Sequence, residues 1–516
     1  MKLDSTGIRR KKVIAIALDA AEPSLIEKWM EEGYLKNLAL FRTKGAYGRL
    51  SSTADWLAGS VWPTFYTGTL PGKHGFYHYL QWKSSKMEYE RPAPDWINAT
   101  PFWRKFGDDY KVIAVDIPMT FPPAPFNGIE ISGWASHDRL YPPSAFPKEK
   151  MDWIIENFGS APIDNEIGGL QSLKELFNVK EELISAIKKE AELVVNLINI
   201  EEWDLCLCCF SSTHRAGHKF WDYTNTKDSI NDDQKLIFKN WLRDIYQSCD
   251  KAVGKILETV KDDATIMIFS LHGMGPNTSL SDQLLPKMIS NVLTGKRNSN
   301  KNGNIIKKIR NKIPLEWRAN LKTFLPVRVQ DKLTAYWRMG GTDWEKTKIF
   351  NLLADLQGYI RVNLKGREKE GIVEKGEEYD QLSNKLIEGL KTFKDESTNE
   401  PIIESINKRD DLFDKAGGFN NLPDILVKWK FKPAAGYTKI ISREYGEIDW
   451  PAPGKNPDGR SGNHRPDGFL LTVGENFKAN SIFEKKYHIV DLAPTILNLL
   501  NIEKPEEMGG EVISGI

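Results

Sequence analysis

Cysteine is scarce: the chain has 516 residues and four thiols, too few to staple a body of this size. Three of them, Cys206, Cys208 and Cys209, fall inside one apolar stretch, WDLCLCCF. Their C-x-C-C spacing lacks the second half of a zinc knuckle or ribbon, so they read as reduced core residues of a cytoplasmic protein. Charge of one sign is also missing, with 71 Lys and Arg against 70 Asp and Glu. That balance offers no general attraction for nucleic acid, and no nucleic-acid partner is expected. No apolar run approaches the roughly 18 residues that a membrane span needs, so no transmembrane segment is expected. Arg9, Arg10, Lys11 and Lys12 precede an apolar stretch in the manner of a signal peptide. Asp19 interrupts that stretch after about six residues, short for a secretory core, and it reads as a first buried strand. Internal repeats and low-complexity segments are absent too. What is present is a 40% hydrophobic composition, enough for a sizeable core and against general disorder.

Val13–Leu18 is a continuous apolar run of β type, as a strand covered on both faces would be. Asp19 follows it, and from Pro23 the periodic SLIEKWMEEGYLKNLALF reads as a helix. Similar runs recur at Tyr110–Asp116, Trp203–Phe210 and Ala264–Leu271, with helical patterns such as Lys180–Ile198 between them. Strands alternating with helices predict an α/β fold with a central, mostly parallel sheet sandwiched by helices. In such sheets ligands gather at the carboxyl ends of strands. There the sequence places Asp19, Ile117–Pro118, Ser211–His218 and His272.

The texture changes from Pro276 to about Gly341. Between Lys296 and Arg338 there are 12 Lys or Arg but only two acids, Glu316 and Asp331, with Trp317, Phe324, Tyr336 and Trp337 interleaved. Residues 276–341 are therefore read as an inserted, basic, partly helical cap or arm, and 1–275 with 342–516 as the core. Residues 296–338 are either a solvated helical face or a surface for anionic substrate or headgroups. Lys365–Glu400 reads as a solvated outer layer. Nothing in the sequence speaks to oligomeric state.

With only eight histidines, each can be weighed. His214 and His218 sit in THRAGHKFW, one helical turn apart, so a helix there would place both imidazoles on one face, as two ligands of one ion require. His272 follows a strand run in SLHGMG, and His464 lies in GNHRPDGFLL directly before another. His74 and His78, in PGKHGFYHY, read as structural, with Gly72 and Gly75 setting turns.

The order of these elements, with SVWPTFYTGTLPGKHGFYHY after VIAIALDAAEP and YHIVDLAPTILNLLNI at the end, resembles the alkaline phosphatase superfamily. The likeness is to its type I phosphodiesterase/nucleotide pyrophosphatase branch, and it spans nearly the whole chain. It implies a metal-dependent hydrolase of phosphoric esters, more a diesterase than a monoesterase, acting on a small anionic ester through a covalent intermediate. One divalent ion would be held by His214, His218 and His464, and a second by Asp19 and His272. Imidazole donors suit Zn2+, and also Mn2+. The resemblance also implies a hydroxyl nucleophile before a helix, assigned here to Ser60. Counted back from Thr67–Gly68 without a gap, that position falls on Ala58, so Ser60 requires a loop two residues shorter; Thr64, Thr53 and Ser52 are the other hydroxyls in range. Two positions depart from the family pattern: His214 stands where Asp is usual, and Leu271, which cannot bind a metal, stands where Asp precedes His272. The site is then more positive than usual, and a single-ion enzyme is one outcome.

Arg215 and Arg465 each follow an expected ligand and are candidates for binding ester oxygens, and Asn463 for donating to an oxyanion. Against these stand a surface salt bridge and turn chemistry. Sulfuric-ester hydrolysis is a rival, but no C/S-x-P-x-R motif occurs. A mutase of the same superfamily would need a large domain soon after the nucleophile, and only Leu70 to about Ala114 intervenes before the next strand. The rival from another class is a non-catalytic anion-binding protein on the same fold, which Leu271 and Ala58 favour and the five retained Asp and His residues oppose.

Overall fold

The structure is a computed structural model that describes residues 11–136, 140–163, 168–260, 264–295 and 327–514. Its organising element is the first strand, Lys12–Leu18. Alternate residues of a strand face opposite sides of a sheet. Here Ile14, Ile16 and Leu18 enter one hydrophobic core, and Val13, Ala15 and Ala17 another. An uninterrupted apolar run is what such two-sided burial demands. Parallel neighbours flank it: Leu205–Phe210 on one side and Ala264–Ser270 on the other. Val112–Val115 and Gly128–Ser132 extend the parallel set. Gly468–Val473 runs antiparallel between Ala264–Ser270 and Ala46–Ser51, and Ser144–Phe146 closes the other side antiparallel. The result is a ten-stranded, mixed and mostly parallel sheet, the expected α/β fold.

Two long helices, Leu173–Ile200 and Asp232–Leu257, supply much of the first core. Each starts with a reciprocal capping box, Ser172 with Glu175 and Asn231 with Gln234, which satisfies free backbone donors at the helix start. The helices Val61–Thr67 and Leu492–Leu499 serve the second core. No helix among the described residues is long and apolar enough to cross a membrane.

A second lobe follows further along the chain. Strands Ile349–Asn351, Gly358–Val362, Ile403–Lys408 and Ile425–Trp429 form a separate four-stranded sheet. Lys394–Asp395, Lys439–Ser442 and Gly446–Asp449 form a three-stranded one. With Leu285–Thr294 and Glu377–Lys391 they enclose a core of their own. The charged texture of Lys365–Glu400 conceals an amphipathic helix that buries Leu386, Ile387 and Leu390. The elements of this lobe run as far as Asp449. Of the basic stretch 296–338, residues 296–326 lie outside the described residues. In its remainder, the Val327–Met339 helix joins the body through an Arg91–Asp331 ion pair at 2.6 Å.

A buried ionic network ties the lobe to the body. Arg361 pairs with Glu368 at 2.9 Å and Arg367 with Asp424 at 2.5 Å, while the Trp82 indole donates to Glu368 at 2.7 Å. Buried charges persist only when partnered this fully.

All four cysteines are buried thiols, and burial pushes Cys206 up to about 12. Thiolate, the reactive form, is thus suppressed. A thiol reagent at neutral pH is expected to label no cysteine in the native protein and all four in denaturant; fast native labelling would contradict this packing.

Candidate metal centre

Strand pairing brings the first residues together. Leu18 stands opposite Phe210 in the parallel register, so Asp19 emerges beside the Ser212–Phe220 helix. The Asp19 amide donates to Phe210 O at 3.1 Å, and Thr213 Oγ1 donates to Asp19 O at 2.6 Å. His214 and His218 share one face of that helix, their rings 4.9 Å apart. A two-stranded antiparallel ribbon outside the main sheet brings the other pair. Gly273–Pro276 pairs with Gly462–Arg465, which sets His272 against His464 with rings stacked at 4.8 Å. His464 also lies 4.9 Å from His214 and 5.0 Å from His218. Gly462 permits this: a Cβ there would sit 2.2 Å from Gly217 O, so only glycine lets the ribbon lie this close to the helix.

The hydrogen bonds then fix the tautomers. His214 Nδ1 is 2.7 Å from Asp19 Oδ2 and donates to that carboxylate. His218 Nδ1 donates to Gly462 O at 2.8 Å. The two Nε2 atoms face each other at 3.0 Å. His272 Nε2 and His464 Nδ1 approach similarly, at 2.9 Å. His272 Nδ1 is buried without a hydrogen-bond partner. Buried polar atoms are seldom left so.

Charge regulation agrees. Burial pushes His272 down to about 4 against the opposing pull of Asp19. Burial, then His272 and His214, holds His464 well below the ordinary histidine value. Both rings are neutral at pH 7 and available as ligands. Burial works against the Asp19 charge, yet neighbouring His214 and His272 and the bonds from His214 and Trp62 hold its carboxyl below the usual range.

His214, His218 and His464 form the one group of three candidate donors found among the described residues; their ligand atoms lie within 4.8 Å of one another. The donor set fits zinc, with the remaining coordination position left to substrate or water. Asp19 and His272 stand beside this group without completing a second such group. Asp19 is instead engaged on both oxygens, by His214 and by the Trp62 indole at 2.9 Å.

The remaining sequence candidates are placed differently. Ser60 ends a short turn, Ala58–Ser60, and the next helix begins at Val61, with Pro63 inside its first turn where a missing amide costs nothing. Its hydroxyl is fully buried and donates to Leu57 O at 2.6 Å, with Thr53 Oγ1 at 2.8 Å. Ala58 is buried in the same turn and carries no hydroxyl. Arg215 is buried and paired with Glu182 at 3.2 Å, the salt-bridge alternative. Arg465 donates to His464 O at 2.9 Å and to Pro276 O, stitching the ribbon, and lies 4.7 Å from the Phe431 ring. Asn463 donates to Asp355 O at 2.9 Å and accepts from the His464 amide at 2.8 Å. All three make contacts that support the scaffold, and Arg465 Nε is buried without a hydrogen-bond partner.

Three residues passed over in the sequence border the cluster. Asp355 Oδ1 stands 3.7 Å from His78 Nε2 and 3.8 Å from Arg460 Nη1. No motif surrounds Asp355 or Arg460; His78 sits in a motif whose turn glycines suggested a structural role.

A mixed α/β sheet of this topology, with an imidazole cluster at its carboxyl edge, defines an alkaline-phosphatase-like protein. The sequence matches the profile of the type I phosphodiesterase/nucleotide pyrophosphatase family over residues 13–428. The chain belongs to that family of metal-dependent hydrolases of phosphate esters. Among solved structures, phosphonoacetate hydrolase from Sinorhizobium meliloti 1021, in complex with phosphonoformate, is 12% identical with a TM-score of 0.50, covering 97% of this chain and 98% of that one. An inactive form of murine ectonucleotide pyrophosphatase/phosphodiesterase 5, in complex with AMP, is 11% identical with a TM-score of 0.49, covering 97% of each chain. The human counterpart is 12% identical with a TM-score of 0.47 and the same coverage. At these identities the likeness is one of fold. No curated protein matches the sequence.

Trp62→Phe removes one donor from the buried Asp19 carboxylate while keeping an aromatic ring in the core. A hydrogen bond to a charged group is worth about 2 kcal/mol. Denaturant unfolding of the metal-free protein at pH 7 should show a loss of that order, and an unchanged midpoint would remove Trp62 from the site's support.

Proposed function

We propose that this chain hydrolyses phosphoric diesters at a single divalent ion, Zn2+ in first place and Mn2+ in second, held by His214, His218 and His464. The observation that carries this reading is the donor cluster itself: the ligand atoms of His214, His218 and His464 lie within 4.8 Å of one another, with His214 Nδ1 bonded to Asp19 and His218 Nδ1 to the Gly462 carbonyl. Once bound, the ion would polarise the phosphoryl oxygen and offset the charge that develops on it. Asp19 orients His214 and raises its basicity as a ligand, the usual work of a carboxylate behind a metal-bound imidazole. His272, neutral and beside His464, presents its unpartnered Nδ1 to the same buried space.

Ser60 is the proposed attacking hydroxyl. Trp62, two residues on, is bonded to Asp19, so the Ser60 turn belongs to the same corner of the molecule. Attack requires Oγ to release Leu57 O and give up its proton as it bonds phosphorus; one ester P–O bond breaks, its alcohol leaves with a proton, and water then cleaves the Oγ–P bond to return Ser60 and release the phosphomonoester. The preference for a diester rests on the family.

The competing reading, a non-catalytic anion-binding protein on this fold, draws on one observation: the only hydroxyl at the start of that helix is buried and spent on backbone. One experiment separates the two. Purified protein, loaded with Zn2+ or Mn2+, is assayed for metal content and for hydrolysis of chromogenic phosphodiester, phosphomonoester and sulfate ester. About one ion per chain is expected, with turnover of the diester. Ser60→Ala should keep the ion and lose turnover by at least about a thousandfold, together with any covalent adduct seen by mass spectrometry. Retained metal without turnover in the wild type would favour the binding protein.

A further inference from the structure

Three neutral imidazoles would leave a bound divalent ion with its full charge, among side chains that are all buried. Burying uncompensated charge is expensive. Asp19 supplies one negative charge, but both its oxygens are occupied by His214 and Trp62. A second carboxylate reaches the site from the other lobe. Asp355 lies between the strands Ile349–Asn351 and Gly358–Val362, outside every motif that marks the centre.

Two features hold it there. Its backbone carbonyl accepts from Asn463 Nδ2 at 2.9 Å, and Asn463 Oδ1 accepts the His464 amide at 2.8 Å. The Asp355 backbone is thereby coupled through one side chain to a metal-ligand candidate. His78 closes a turn on Leu80 through Nδ1, which leaves Nε2 to face Asp355 Oδ1 at 3.7 Å. The carboxylate is largely enclosed, with 17% of its side chain exposed, so its field is weakly screened. That field acts on both His464 and His272. Arg460, 3.8 Å from Oδ1, carries the opposing positive charge.

We infer that Asp355 is a positioning residue of the metal centre: it supplies, from the second lobe, the negative charge that lets three neutral imidazoles retain a divalent cation. The inference rests on the metal reading proposed above. Arg460 opposes it by charge, so the two residues set ion affinity in opposite directions.

The test is Zn2+ affinity of the intact chain, by competition with a chromophoric chelator at pH 7, with thermal melts of the metal-free proteins alongside. Asp355→Asn keeps shape and removes charge, and is expected to weaken Zn2+ binding at least tenfold, the scale on which residues behind metal ligands act. Asp355→Glu should recover part of that loss. Arg460→Gln, which removes the opposing charge, should tighten binding severalfold, a direction that general loosening of the site would not produce. Equal affinity in wild type and Asp355→Asn, or weaker binding in Arg460→Gln with an unchanged melt, overturns the inference and leaves the three-histidine site standing. A wild type that takes up no Zn2+ overturns both.

Discussion

The bond from His214 Nδ1 to Asp19 Oδ2, at 2.7 Å, governs the chemistry of this protein. It joins the end of the central strand to the first turn of the helix that follows a neighbouring strand. It decides which nitrogen of His214 keeps the proton, and so which one is left for a cation. Without it His214 could rotate or change tautomer, and the 3.0 Å approach of its Nε2 to His218 Nε2 would vanish. The surrounding structure serves that bond. The Trp62 indole holds the second oxygen of Asp19, and Thr213 holds its carbonyl. The parallel register between Lys12–Leu18 and Leu205–Phe210 sets the separation of strand end and helix start.

Much of this was legible in the sequence, for reasons that can be named. A parallel strand covered on both faces needs an uninterrupted apolar run, and VIAIAL, LCLCCF and ATIMIFS are such runs. Because ligands gather at the carboxyl ends of parallel strands, Asp19, His214 and His272 could be assigned to one edge before any geometry was known. Helical spacing put His218 with His214. His464 needed more, since it arrives on a ribbon that pairs residues almost two hundred positions apart; its motif, not its periodicity, revealed it.

What escaped the sequence is equally specific. Hydrogen-bond commitment cannot be read from residue type. Arg215, Arg465 and Asn463 each also contact the scaffold, which residue type alone does not reveal. Asp355 lies in a segment without pattern, and only the folding of the second lobe against the first brings it to the cluster; Arg460 stands four residues before His464. That lobe has short and partly polar strands, unlike the two-sided runs of the main sheet. Its centre is an ionic network, with Arg361, Arg367, Glu368 and Asp424 each almost fully enclosed.

The ribbon of Gly273–Pro276 and Gly462–Arg465 imposes an order on assembly. During synthesis, the helix bearing His214 and His218 leaves the ribosome some 250 residues before His464 does. Until His464 follows, the group of three donor atoms is not assembled. The cluster is thus a product of long-range pairing and not of any one local segment.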